Sequence, residues 1–216
     1  FLADAVFNYL CLLGWSVDGD TTIFSREQAI EAFDLADVSK NPATFDPEKL
    51  EWMNGEYIRA MDLPAFMAQA LPHIEKSVGR ALDDAEIESF REIAALVQER
   101  TKLLPEAAEQ VRFLFGNVDE YDQKSWDKVM TKDGVAEILG AASTRLSGVE
   151  RWAADAIEDS LRSMLSEMEI GVGKGLQPMR VAVTGSSVSP PLFESMAALG
   201  KQRTIDRLDA ARAHLG

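Results

Sequence analysis

Gln177 and Arg180 stand three residues apart, and a Gly185-Ser186 turn followed by Ser189-Pro190-Pro191-Leu192-Phe193 comes directly after them. A guanidinium offers a fork of donors and an amide offers both donors and acceptors, so the pair can grip an anion or the edge of a base. Helix starts expected at Pro178 and at Ser189-Pro190 place Gln177 at an N-cap-like position and Arg180 about one turn further on. The second start adds unpaired backbone N–H groups and the positive end of a helix dipole. Pro190, Pro191 and Leu192 would form a rigid apolar shelf for a flat ring. The combination suits a polyanion or an unstacked nucleotide base. Taken alone, the same residues also fit ordinary helix capping with a surface arginine.

Other chemistries find little support. Gly171-Val172-Gly173-Lys174-Gly175 is glycine-rich, but no Ser or Thr follows the lysine and no buried strand precedes it, so it reads as a helix-to-helix loop and not a phosphate loop. His73 and His214 have neither a cysteine partner nor metal-ligand spacing. No Ser/His/Asp or Cys/His set can be assembled. The many carboxylates follow helical periodicity as solvated faces, with no pair in unlike environments to divide acid and base roles. The single cysteine, Cys11, leaves no intrachain disulfide and suits a reducing compartment, and its apolar neighbours read as core.

The 216 residues carry a formal net charge of −14, which argues against phosphate contacts over most of the surface. The charge is uneven. Residues 171–216 hold six basic and three acidic side chains, whereas residues 1–170 hold 16 basic and 33 acidic. Only the tail has the sign a polyanion would meet favourably. No apolar run approaches the roughly 18 residues of a membrane span. The chain opens on an apolar helix with no basic n-region or cleavage signal, so Phe1 reads as a cut inside a longer polypeptide.

The elements that must position these residues are helical throughout. Val6, Phe7, Leu10 and Leu13 recur at helical spacing before Gly14. Ser25-Arg26-Glu27-Gln28 predicts a capping box with Ile30 and Phe33 inward, and Asp46-Pro47 an N-cap followed by proline at the first helical position. A short helix is expected from Asp62 to Leu71, ended by Pro72. Another starts at Asp83-Asp84 and a further one at Pro105. Ser147-Gly148-Val149-Glu150 predicts a second capping box opening the longest helix, and Gly185 and Gly200 are helix stops. Residues 116–123 read as a polar boundary.

The run from Gln177 to Phe193, continued by Leu199-Gly200-Lys201 and Arg207-Leu208, resembles the anticodon-binding part of bacterial glutamyl-tRNA synthetases. Asn8-Tyr9-Leu10 with Leu12-Leu13-Gly14-Trp15-Ser16, and Phe45-Asp46-Pro47-Glu48-Lys49-Leu50-Glu51-Trp52, resemble the start of that family's stem-contact domain. These motifs fall in the family's order and cover nearly the whole chain. The resemblance implies an all-α stem-contact domain at 1–65 and a two-part helical anticodon-binding domain at 66–115 and 116–216. It implies an ATP-dependent ligase whose catalytic domain, with its ATP and Mg2+, lies outside this chain, so that this chain holds no cofactor and no active site.

Residue by residue, Gln177, Arg180, Ser189, Pro190 and Leu192 match family positions that contact anticodon bases, and Pro191 stands where a glycine is common. Arg100, in Leu96-Val97-Gln98-Glu99-Arg100, matches the position that reads the third anticodon base. A guanidinium there can donate to the carbonyl and ring nitrogen of cytosine, whereas uracil presents a donor at that ring position. Such pairing discriminates by roughly 1–3 kcal/mol. Lys49 and Arg59 are candidates for tRNA backbone contacts, and Trp15 and Trp52 are expected in the core. The implied partner is tRNA-Glu, with no DNA and no membrane, and the implied parent is a cytoplasmic monomer. The alternative is a non-catalytic helical module docking a protein through Pro190–Phe193 and its Met-rich faces.

Overall fold

The computed structural model describes residues 1–116, 118 and 121–215. Residues 117, 119 and 120, within the boundary expected at 116–123, and residue 216 lie outside the described residues. Helices joined by turns make up the structure, with no strand among the described residues, as the all-α reading required. Two compact units result: residues 1–73 with 97–108, and residues 74–96 with 109–216.

In the first unit, α1 (Ala3–Leu12) packs against α3 (Pro47–Ala60) and α2 (Arg26–Ala32). Ser25 and Gln28 form the expected reciprocal capping box, at 3.2 and 2.8 Å. The Asp46 carboxylate accepts from the N–H groups of Glu48 and Lys49 at 3.0 and 3.1 Å, with Pro47 at the first helical position. Tyr9, Leu50 and Met53 form one apolar cluster; Trp15, Phe24 and Ala29 form another, on whose edge Cys11 sits half-buried. Burial pushes the Cys11 thiol up, away from the reactive thiolate.

The inward faces differ from those expected. Leu10, Ile30, Phe33 and Trp52 are exposed, and α1 instead buries Ala5, Asn8 and Tyr9. The buried Asn8 carbonyl oxygen accepts the Phe24 N–H at 3.1 Å and the Tyr57 hydroxyl at 2.8 Å, which ties that face of α1 to the interior, while Val6, Phe7, Leu12 and Leu13 pack at the cluster edges.

The helix α4 (Leu63–Val78) continues through Pro72, where an end was expected. Proline forfeits one backbone hydrogen bond, yet Phe66, Ala70 and Ile74 on a single face are fully buried and hold the helical path. A reciprocal Asp83–Glu86 cap, at 2.9 and 3.1 Å, opens α5 (Asp84–Arg100). Next come α6 (Leu104–Val111) and a 3-10 turn at Arg112–Leu114.

In the second unit, α7 (Gln123–Ser125) runs on as a π-helical turn at Trp126–Met130. There follow α8 (Val135–Ser147), α9 (Ala154–Glu167), α10 (Val172–Thr184), α11 (Leu192–Leu199) and α12 (Lys201–His214). The last of these lies along α8, α10 packs on both, and α9 packs on α8 and α11.

Three expectations fail here. Ser147 ends α8 instead of opening a helix, and its hydroxyl donates back to the Ser143 carbonyl, while α9 starts at Ala154 without a side-chain cap. Lys201 takes up the freed carbonyls of Ser147 and Val149, at 2.8 and 2.7 Å. The Gly171–Gly175 stretch is the first turn of α10, not a loop, so Pro178 lies inside the helix. Gly175 makes this possible, since a Cβ there would stand 2.7 Å from Leu165 Cδ1 and closer still to Cδ2. Finally, α11 begins at Leu192, not at Ser189-Pro190.

Candidate nucleic-acid interface

The elbow between α10 and α11 is built around one guanidinium. Gly185 ends α10 in the left-handed region (φ 81°) and its N–H returns to the Val181 carbonyl at 2.9 Å. The chain then doubles back over Arg180, whose Nη1 donates to the Pro190 carbonyl at 2.7 Å and to the Ser189 hydroxyl. From the other side, the Asp122 N–H donates to the Gly185 carbonyl at 2.8 Å and the Ser187 N–H to the Ser125 hydroxyl at 2.9 Å. The Ser125 hydroxyl and N–H hold the Asp122 carboxyl below the usual carboxylate range. Buried Arg207 supports the base of the elbow, donating to the carbonyls of Val183 at 2.6 Å and Phe113 at 2.7 Å.

Two hollows flank this turn. One, of about 630 Å³, is lined by Arg112, Tyr121, Thr184, Ser186, Val188 and Ser189. The other, of about 390 Å³, brings together Gln177, Ser187, Lys128, Lys132 and Lys174. Both lie in a size range typical of small-ligand sites, about 300–1,000 Å³. Burial pushes the Tyr121 phenol up.

The second unit thus gathers Gln177, Arg180, Ser189, Pro190 and Leu192 around one elbow, with changed duties. Gln177 is an exposed residue in mid-helix, not an N-cap. Arg180 is half-buried and organises the turn from within. Pro190 and Leu192 are buried, Leu192 to 3% exposure, so the shelf expected of them faces the core. Their places at the surface are taken by Val188, 83% exposed, and by half-buried Pro191.

Arg100 belongs to the first unit, exposed on the last turn of α5. Its neighbour Gln98 is buried and donates to the carbonyls of Ile58 and Met61, at 2.8 and 2.9 Å. The Thr101 hydroxyl closes the same turn on the Val97 carbonyl at 2.7 Å. Arg100 is therefore carried on a backbone clamped on both sides. Lys49 is exposed, whereas Arg59 pairs with Glu56 at 2.5 Å and reaches the Glu99 carbonyl at 3.5 Å. Lys128 and Lys132 carry no sequence signal beyond a spacing of four residues; only the fold brings them to Lys174.

Comparison with known proteins places these features. Residues 65–212 match the family described as an anticodon binding domain, and residues 1–52 match the catalytic domain of class I tRNA synthetases (E and Q). The glutamate–tRNA ligase of Mycolicibacterium gilvum is 42% identical over 216 residues, covering 99% of this chain and 43% of the relative. That of Roseiflexus castenholzii is 41% identical over 214 residues, covering 98% of this chain and 42% of the relative. The crystal structure of a glutamate tRNA ligase from Elizabethkingia meningosepticum in complex with its amino acid superposes with a TM-score of 0.86 at 26% identity, over 100% of this chain and 42% of that one. The chain thus spans less than half the length of these relatives. With the anticodon-binding match running through the α10–α11 elbow, the chain belongs to the anticodon-binding domain family, in the form carried by glutamate–tRNA ligases.

Proposed function

We propose that this chain is the C-terminal tRNA-binding portion of a glutamate–tRNA ligase, recognising the anticodon of tRNA-Glu so that a catalytic domain can attach glutamate at the expense of ATP. Residues 1–65 serve as the stem-contact part, and 66–115 and 116–216 as the two parts of the anticodon-binding domain. ATP and Mg2+ belong to the body of the catalytic domain, whose family model this chain matches only over residues 1–52, and this chain alone is inactive in aminoacylation. The parent acts as a cytoplasmic monomer, on tRNA and not on DNA.

The observation that carries the reading is the elbow itself. A guanidinium fixes the turn from beneath by donating to the Pro190 carbonyl at 2.7 Å, and the exposed amide of Gln177 stands in a hollow beside it. A rigid loop bearing neutral donors and acceptors, next to cations, is how unpaired bases are read. Lys49 and Arg59 serve as backbone contacts in the stem-contact part. Burial of Leu192, Met164, Met179 and Met196 at 3% exposure or less supports this reading over docking of a protein through Pro190–Phe193, of which Pro191 and Phe193 stay half-buried.

Equilibrium binding of a labelled tRNA-Glu transcript tests the reading, with a transcript carrying a changed anticodon as the competitor. Preference for the tRNA-Glu anticodon, with affinity falling steeply as salt rises, is the expected result. Equal affinity for both transcripts would defeat anticodon recognition.

A further inference from the structure

The glycine-rich stretch that the sequence left without a role returns as part of a cationic hollow. Lys174, in the first turn of α10, meets Lys128 from the π-helical turn and Lys132 from the turn after it, in the cavity of about 390 Å³ that Gln177 also lines. All three ammonium groups are on exposed residues, and none makes an ion pair among the described residues. Elsewhere in this unit Arg80, Arg91, Arg145, Arg151 and Arg162 each sit against a carboxylate, and the unit's other cations without an ion pair among the described residues, such as Lys76, lie outside this hollow. The one acidic side chain within the π-turn, Asp127, accepts from the Gln123 amide at 2.8 Å. Gly173 presents no side chain, and a Cβ placed there would meet nothing within 4 Å, which leaves the approach over Lys174 open.

We propose that Lys128, Lys132 and Lys174 form a phosphate grip for the RNA strand, holding its sugar-phosphate backbone beside the base presented to Gln177. This rests on the tRNA-binding reading above and adds residues and a task to it. The chemistry divides accordingly. Ammonium groups are compact, non-directional charges suited to phosphate, whereas a neutral amide suits a base edge. In a chain of net charge −14, cations grouped in one hollow also fix where a polyanion can land.

The test is salt-dependent binding of tRNA-Glu to the wild-type chain, to a triple Lys128→Ala/Lys132→Ala/Lys174→Ala variant, and to the corresponding triple Lys→Arg variant. Each phosphate contact contributes about 0.7–0.9 to the slope of log affinity against log salt. The alanine variant is therefore expected to lose about 2 from that slope and to bind roughly tenfold or more weakly at low salt. The loss should be the same for a changed-anticodon tRNA, because phosphate contacts carry no base information. The arginine variant should keep the wild-type slope. Wild-type slope and affinity in the alanine variant, with the wild type binding tRNA-Glu normally, would overturn the grip and leave anticodon reading standing. A wild-type chain that binds no tRNA would remove the anticodon reading itself.

Discussion

Arg180 and Pro190 are joined across the elbow by a guanidinium-to-carbonyl hydrogen bond of 2.7 Å, which makes the arginine a fastener of the loop as well as a cation beside it. Hydrogen bonds to charged groups contribute about 1.5–3 kcal/mol each. Arg180→Ala should therefore destabilise the second unit by about that amount and speed amide hydrogen exchange through residues 184–190. Its affinity for tRNA-Glu should fall at least tenfold. Arg180→Lys, which keeps the charge but loses the fork, should recover little of either. Unchanged exchange in the alanine variant would show that the turn stands without its guanidinium.

The buried amide of Gln98 holds the turn from which Arg100 projects, through carbonyls of Ile58 and Met61 at 2.8 and 2.9 Å. Gln98→Ala leaves the Met61 carbonyl without its side-chain donor and the Ile58 carbonyl with only the Met61 N–H at 3.2 Å, and should cost about 1–3 kcal/mol in urea unfolding. Arg100→Ala should flatten the preference for the third anticodon base, by ten- to a hundredfold if the discrimination is about 1–3 kcal/mol. Binding to transcripts that differ at that base alone separates the two effects.

Two glycines of α10 should respond in opposite directions to alanine. At Gly175 a Cβ would stand 2.7 Å from Leu165 Cδ1, inside the packed contact with α9, so Gly175→Ala should destabilise by about 1–3 kcal/mol. At Gly173 it would meet nothing within 4 Å, so Gly173→Ala should be neutral or stabilise by up to about 1 kcal/mol, through helix propensity. Thermal melts of both variants decide the matter.

A pH test falls on Glu86, whose carboxylate oxygens each lie 2.7 Å from the Arg80 guanidinium. That pairing, opposed by burial and helped by the Asp83 N–H, holds the Glu86 carboxyl below its ordinary range. The folded pKa lies below the unfolded value of about 4.3. The contribution is therefore complete above that pH and is lost as pH falls through the folded pKa. Glu86→Gln should lose less stability than wild type between pH 7 and pH 3, as read by urea midpoints at each pH. Parallel losses would mean that the pair carries no proton linkage.

The sequence by itself determined the helical class, the caps at Ser25 and Asp46, and the stops at Gly185 and Gly200, because each depends on residues a few positions apart. It also marked the Gln177–Leu192 elbow and Arg100 as the places to look. Tertiary structure decided what those residues do there. Packing of Gly175 against Leu165 drew the glycine run into α10, carried Gln177 to mid-helix and set Lys174 beside Lys128 and Lys132. A buried face kept α4 helical through Pro72 against its local preference. The Asn8 carbonyl, accepting from Phe24 and Tyr57, shares the inward face of α1 with Ala5 and Tyr9 and leaves Leu10 exposed. Local propensities act over a turn or two of chain, whereas burial and polar satisfaction are settled only between segments that folding brings together.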